Sequence, residues 1–274
     1  MTSPPRALLH RFDADTALTP VADDRWRADV PEHWFVGHGP NGGFLAAVAA
    51  RAAEAAAQRP LRSLSLHFLA VPGAAPLDIA ATVERAGRVT TVVSVRIEQD
   101  GRPQVLGLAT LSALPESGIE WDATEMPAAK PLVESPPVPL DEAGIPAFMR
   151  NYDMRWALGS LPGEGRAVET GGWLRTADPR RLDAQLAAAM ADAWAPAAFA
   201  ATGRFVAAPT LDLAVHVRRP LPPAELEPED HVLVRFSTRL SVAGVWEEDG
   251  EIWTPGGELI AQSRQLALAR DRPT

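Results

Sequence analysis

Asp192 is the only ionisable side chain in the run from Leu186 to Trp194, whose other members are alanine, leucine, methionine and tryptophan. Alanine, leucine and methionine favour a helix. A helix that is apolar on every face is buried, and this one is too short to cross a bilayer. The wider stretch from Leu182 to Phe199 is therefore expected to form a core helix that Pro196 ends or kinks. A carboxylate in such a place is costly unless it is hydrogen-bonded, paired or used in chemistry. A satisfied core aspartate, or a helix-end cap, is the structural alternative to a catalytic base.

A second stretch with chemical potential is Gly37-His38-Gly39-Pro40-Asn41-Gly42-Gly43, a turn-rich loop opening into an apolar helix over Phe44 to Gln58. A helix start exposes free backbone N–H groups that favour negative charge. No Gly-Lys-Ser/Thr follows, and the spacing is not GxGxxG, so a phosphate loop is not indicated. Small residues allowing close packing are the structural alternative. His67 and His216 occupy similar places in two strands, which more often means surface or packing than catalysis. Histidines and carboxylates show no metal-ligand spacing, so no metal and no cofactor are expected.

These groups sit in a chain of 274 residues, enough for one large domain or two smaller ones. A formal charge of −9 argues against nucleic acid or an anionic membrane surface as the main partner. The chain has no cysteine, hence no disulfide scaffold and no thiol nucleophile. That fits a cytoplasmic protein. The segment Met1 to Phe12 lacks the apolar run of a signal peptide, and no stretch is long enough for a membrane span.

In chain order, Phe12 to Ala17 and Arg25 to Val30 are expected as short strands. After the Phe44 helix the apolar period becomes two: Leu64, Leu66 and Phe68 alternate with Ser65 and His67. Leu77 to Arg85, Val89 to Gln99 and Gln104 to Leu114 complete four strands, with Asp100-Gly101 as a hairpin turn. Residues 115–147 are proline-punctuated and read as a linker crossing the surface. The pattern then repeats. Phe148 to Trp156 and Gly171 to Arg175 read as strands. After the Leu182 helix come Thr210 to Arg218, Val232 to Ser241, Val245 to Trp253 and Glu258 to Arg270. Asp249-Gly250 is placed at the position of Asp100-Gly101.

One apolar helix and its strands, given twice, indicate an internal duplication. Each sheet needs cover on one face, which its helix supplies. The expected fold is α+β, a double hotdog: residues 1–114 as one domain, 115–147 as a linker, 148–274 as the second domain. The two sheets are expected to join edge to edge, which protects edge strands. Sites are expected between the halves.

At this point the chain resembles the acyl-CoA thioesterase II family, over nearly its whole length and most firmly in the second half. The family carries an active-site aspartate on its second helix, and Ala191-Asp192-Ala193-Trp194 matches. It has a threonine opening the next strand in a Thr-x-Asp pattern running to a basic residue and proline; Thr210-Leu211-Asp212 through Arg219-Pro220 matches. It has a glutamine in the last strand two residues after Ser or Thr; Ser263-Arg264-Gln265 matches. The resemblance implies that Asp192, Thr210 and Gln265 activate a water for hydrolysis of an acyl-CoA. Trp194 and Ala195-Pro196 depart from the family's usual run, as does Ala214-Val215-His216, where bulkier aromatics are common. Both departures bear on acyl-chain preference more than on chemistry.

The chemistry agrees with that implication. A thioester needs a placed water, a base and donors to the carbonyl oxygen. Asp192 can take a proton from water. Burial raises its pKa, and hydrogen bonds from Thr210 and Gln265 would favour its ionised form. Backbone N–H groups at Asn41, Gly42 and Gly43 are expected to polarise the carbonyl, with Trp194 also meeting substrate. Asp212 is expected to face away from Thr210's partners. Ser63 and Thr110 lie roughly where Thr210 and Gln265 lie, with no clear catalytic acid on the first helix, so one site per chain is expected. Arg218-Arg219 could meet CoA phosphates or form a solvated edge. Sheet edges are the surface for any further self-association. Two other readings stand beside the thioesterase: a non-catalytic acyl-ligand binder with the same pocket, and a hydratase or dehydratase, which would need an Asp-and-His dyad.

Overall fold

A computed structural model describes residues 9–113, 118–142, 144–159, 167–203, 205 and 207–269. The first half contains helix α1 (Arg11–Asp15) and strands β1 (Thr19–Ala22) and β2 (Arg25–Ala28). A small ladder, β3 (Phe35–Val36) and β4 (Gly39–Pro40), leads into helix α2 (Gly42–Ala57). Strands β5 (Leu61–Phe68), β6 (Leu77–Ala86), β7 (Thr91–Gln99) and β8 (Arg102–Leu111) follow. The second half has β9 (Tyr152–Gly159), β10 (Glu169–Thr176), and helices α3 (Ala184–Met190) and α4 (Ala197–Thr202). It closes with β11 (Thr210–Val217), β12 (Val232–Ser237), the short β13 (Ser241–Val242), β14 (Val245–Trp253) and β15 (Leu259–Leu268). Among the described residues no helix is long and apolar enough to cross a membrane.

One antiparallel sheet runs through the molecule in the order β1-β2-β6-β7-β8-β5-β11-β15-β14-β12-β10-β9, with β13 on β14. Its seam is the pairing of β5 with β11, where His67 faces Asp212 and Ser63 faces His216. The edge-to-edge junction expected from the sequence is thus present. Alternation sends Leu64, Leu66, Leu213 and Val215 into the core, whereas His67 and His216 are exposed. Asp100 and Gly101 both have positive φ, 53° and 71°, as a tight two-residue hairpin between β7 and β8 requires.

Helix α2 is buried along most of its length and packs on α3, with Gln185 Nε2 donating to Glu54 Oε2 across the halves. Gly43 is needed here: a Cβ on it would lie 2.3 Å from the Ala189 carbonyl oxygen.

Several local expectations differ from the structure. Phe12 lies in helix α1 rather than a strand: His10 Nδ1 accepts from the Phe12 N–H, so a capped turn replaces the extended segment. Phe148 to Asn151 form a 3-10 turn before β9. Asp249-Gly250 lie in mid-strand, opposite Arg264 and Ser263; the β14–β15 turn falls at Thr254 to Glu258 instead. Continuous pairing on both sides of β14 overrides the dipeptide's turn preference. The proline-rich segment is not only a surface crossing. Met126, Ala129 and Leu132 pack on a satellite core, and Trp173 Nε1 donates to the Lys130 carbonyl at 2.8 Å.

Candidate active site

The Leu182–Phe199 stretch is two short helices with a turn between them, and Asp192 stands in the turn, not inside a helix. Asp183 caps α3, its Oδ1 accepting from Leu186 N–H at 2.9 Å. The helix ends at Met190, and the next two bonds, Asp192 N–H to Ala189 C=O and Ala193 N–H to Met190 C=O, belong to the tighter turn. Pro196 bars the helix from running on unbroken into α4. In a continued helix its N–H would bond the Asp192 carbonyl, and proline has none. Asn41 Nδ2, from the other half, donates to that carbonyl at 3.0 Å.

The Asp192 carboxylate is held from the same side. Gly43 N–H donates to its Oδ2 at 3.0 Å, and Gly42 N–H adds a second backbone hydrogen bond. Asn41 caps α2 as well, its Oδ1 accepting from Phe44 N–H at 3.0 Å. Enclosure by protein pushes the Asp192 pKa up to about 6, against the opposing pull of the Gly43 and Gly42 N–H groups. The residue as a whole is nevertheless only part-buried.

Asn41, Gly42 and Gly43 therefore do meet Asp192, but in a role other than the expected one. The Gly42 and Gly43 N–H groups face the carboxylate, and the Asn41 N–H donates to the Trp34 carbonyl, so none of the three stands free for a carbonyl oxygen. The reason is proximity: a Cβ on Gly42 would be 2.9 Å from Asp192 Oδ2, so the base sits directly over the helix start.

Thr210 and Gln265 are brought together. Thr210 Oγ1 donates to Gln265 Oε1 at 2.9 Å. A bulge between Thr210 and Asp212 in the β11–β15 pairing shifts the phase. Regular alternation would put both residues on one face. The bulge turns Thr210 inward and Asp212 outward.

The sequence reading missed Glu248. Its Oε1 accepts from Gln265 Nε2, and its Oε2 accepts from Ala197 N–H at 2.6 Å, at the start of α4. The residue is buried, and burial pushes its pKa up to about 8, with the charge of Asp192 adding to the rise. Glu247-Glu248-Asp249 looks like a solvated acidic strip. The signal lay in the period of two: Trp246, Glu248 and Ile252 share the buried face of β14.

Trp194 packs in the core, its indole N–H donating to Thr170 Oγ1 at 3.0 Å and its ring 5.6 Å from Trp156. Arg219 pairs with Asp122 and Glu258 at the surface. An open groove of about 770 Å³ over β11, β15 and β14 is lined by outward residues such as Asp212 and Leu266 and also touches Gln265 and Trp246. Its cations, Arg239 and Arg264, are already paired with Asp249. Asp192 is not among the residues that line this groove.

Comparison with known proteins agrees with this architecture. A model of the acyl-CoA thioesterase N-terminal domain matches residues 30–112, and one of the C-terminal domain matches residues 124–269. An uncharacterised protein of Mycobacterium tuberculosis (strain ATCC 25618 / H37Rv) is 29% identical over 295 residues, covering 94% of this chain and 97% of that protein. A hot dog protein of unknown function from Alicyclobacillus acidocaldarius superposes with a TM-score of 0.84 at 26% identity, over 97% of this chain and 99% of that one. The acyl-CoA thioesterase II TesB2 of Mycobacterium marinum shares the fold with a TM-score of 0.74 at 23% identity, over 95% and 98% of the two chains. With the C-terminal model alone spanning more than half of the sequence, the chain belongs to the acyl-CoA thioesterase family and matches both its N-terminal and its C-terminal domain.

Proposed function

We propose that the protein hydrolyses an acyl-CoA to the free acid and CoA, with Asp192 as the base that takes a proton from water. The observation that carries this reading is the setting of Asp192. Its carboxylate has a pKa near neutrality and is anchored by a helix start, on a residue that is only part-buried. Such a group is ionised at neutral pH yet basic enough to accept a proton. Water oxygen adds to the thioester carbon as its proton passes to Asp192. The carbonyl then re-forms, the C–S bond breaks and CoA leaves as its thiolate.

Thr210, Gln265 and Glu248 serve as positioning residues. Glu248 accepts from one Gln265 N–H, and Thr210 donates to the Gln265 carbonyl oxygen, so the amide is fixed in one orientation. One Gln265 N–H and the Thr210 lone pairs remain for the water or the substrate.

The test is a panel of acyl-CoAs, short to long and aromatic, followed by release of free thiol with a disulfide dye. The chain has no cysteine to add background. Asp192→Asn should lower turnover by about a thousandfold. The rate of the native protein should rise as pH passes upward through about 6, where Asp192 ionises. Binding of acyl-CoA with no turnover of any panel member would sink the hydrolase reading in favour of a ligand binder.

A further inference from the structure

Water addition places negative charge on the thioester oxygen, and that charge needs a donor. The N–H groups of Gly42 and Gly43 are engaged with Asp192. Tyr152 offers another. It is the sole tyrosine of the chain. It opens β9, is 2% exposed, and stands edge-on to Trp34 at 6.0 Å. Trp34 in turn lies 5.5 Å from Phe44 in the first turn of α2, and its carbonyl accepts from Asn41 N–H. The tyrosine thus belongs to the aromatic cluster built against the helix start that holds Asp192.

Its hydroxyl has no hydrogen-bond partner among the described residues. A buried unsatisfied hydroxyl costs about 1–3 kcal/mol, and beside a candidate site a ligand that accepts from it would offset that cost. Burial, and then the charge of Asp192, hold the phenol well above its usual range. It stays protonated and can only act as a donor toward an oxygen that gains charge.

We propose that the Tyr152 hydroxyl donates to the carbonyl oxygen of the bound thioester. The assignment rests on the thioesterase reading of the same site. No proton is transferred: the carbonyl electron pair moves onto oxygen as the water adds, the hydroxyl stabilises it there, and the pair returns as the C–S bond breaks.

The test uses the full chain labelled with 3-fluorotyrosine, which gives one fluorine resonance because there is one tyrosine. Two unhydrolysable probes of matched chain length are compared, the length taken from the best member of the substrate panel. One is a ketone in which CH2 replaces the thioester sulfur; the other is an S-alkyl-CoA thioether with no carbonyl. The ketone should shift the resonance and the thioether should shift it much less. Unlabelled Tyr152→Phe, which keeps the ring packing on Trp34, should lower kcat by about a hundredfold with little change in KM. The acid limb of its pH profile should not move.

Equal shifts from both probes, or an unchanged kcat, would overturn the assignment while leaving the thioesterase reading intact. So would an acid limb displaced to higher pH with an intact plateau, because the hydroxyl would then be donating to Asp192. Neither probe binding, together with no turnover on the panel, would remove the thioesterase reading and this assignment with it.

Discussion

In the first half, Leu61, Ala109 and Val93 stand where Thr210, Gln265 and Glu248 stand in the second. The register fixes the correspondence. Leu61 pairs with Leu111 as Thr210 pairs with Ala267, and a bulge follows in each strand. Past the bulge, Leu64 pairs with Ala109 as Leu213 pairs with Gln265. Val93 lies opposite Ala109 as Glu248 lies opposite Gln265. Ser63 and Thr110, which the sequence pattern set beside Thr210 and Gln265, correspond instead to Asp212 and Leu266 on the outward face. The same frame is therefore filled in two ways: an apolar core in one half, and a hydrogen-bonded chain ending at a buried carboxylate in the other. Backbone topology does not decide where chemistry can reside; three inward positions do.

That contrast can be broken experimentally. The largest effect is expected from Gln265→Ala, which strands Glu248 and Thr210. Turnover should fall about a hundredfold, with a stability loss of about 2–4 kcal/mol from the buried acid left with the Ala197 N–H alone, read by denaturant melts. The converse, Ala109→Gln, buries an amide among apolar neighbours. It should cost a similar amount, about 2–4 kcal/mol, with no gain in rate. Giving the second half the first half's residues, as Thr210→Leu, Gln265→Ala and Glu248→Val together, should destabilise by less than the sum of the three single changes. A sum that simply adds would mean the three side chains do not act as one network.

Glu248→Gln sharpens the comparison through pH. The folded pKa of Glu248 lies near 8, above its unfolded value. The native state therefore holds a proton that the unfolded chain releases, and this contribution is present below the unfolded pKa and lost as pH rises through about 8. Glutamine has no such dependence. The variant should melt below the native protein at pH 5, and the gap should narrow or reverse by pH 9. A gap independent of pH would show that Glu248 does not titrate there. The smallest effects belong to His67→Ala and His216→Ala, exposed on the outward face. Each should change stability by less than about 0.5 kcal/mol and leave turnover alone.

Much of this frame was legible without coordinates. The duplication, the β7–β8 hairpin and the alternation of β5 and β11 follow from periods and turn chemistry, which are local. Asp192 was legible as an isolated charge in an apolar run, and Thr210 and Gln265 through the family resemblance. What was not legible depends on pairing between distant strands. Glu248 could be told from Glu247 only once β14 was known to run unbroken through Asp249-Gly250. The helix break before Asp192 escaped notice because alanine-rich sequence propagates a helix in isolation, whereas here Asn41 completes the interrupted backbone from outside.

That last contact makes the second half dependent on the first. The carbonyl and the carboxylate of Asp192 both take their donors from Asn41, Gly42 and Gly43. A C-terminal fragment cut free at the proline-rich segment would keep every acid and amide of the network and still lack a settled base. The first half, with no carboxylate of its own at the corresponding strand positions, serves as the socket into which the other half's base is plugged.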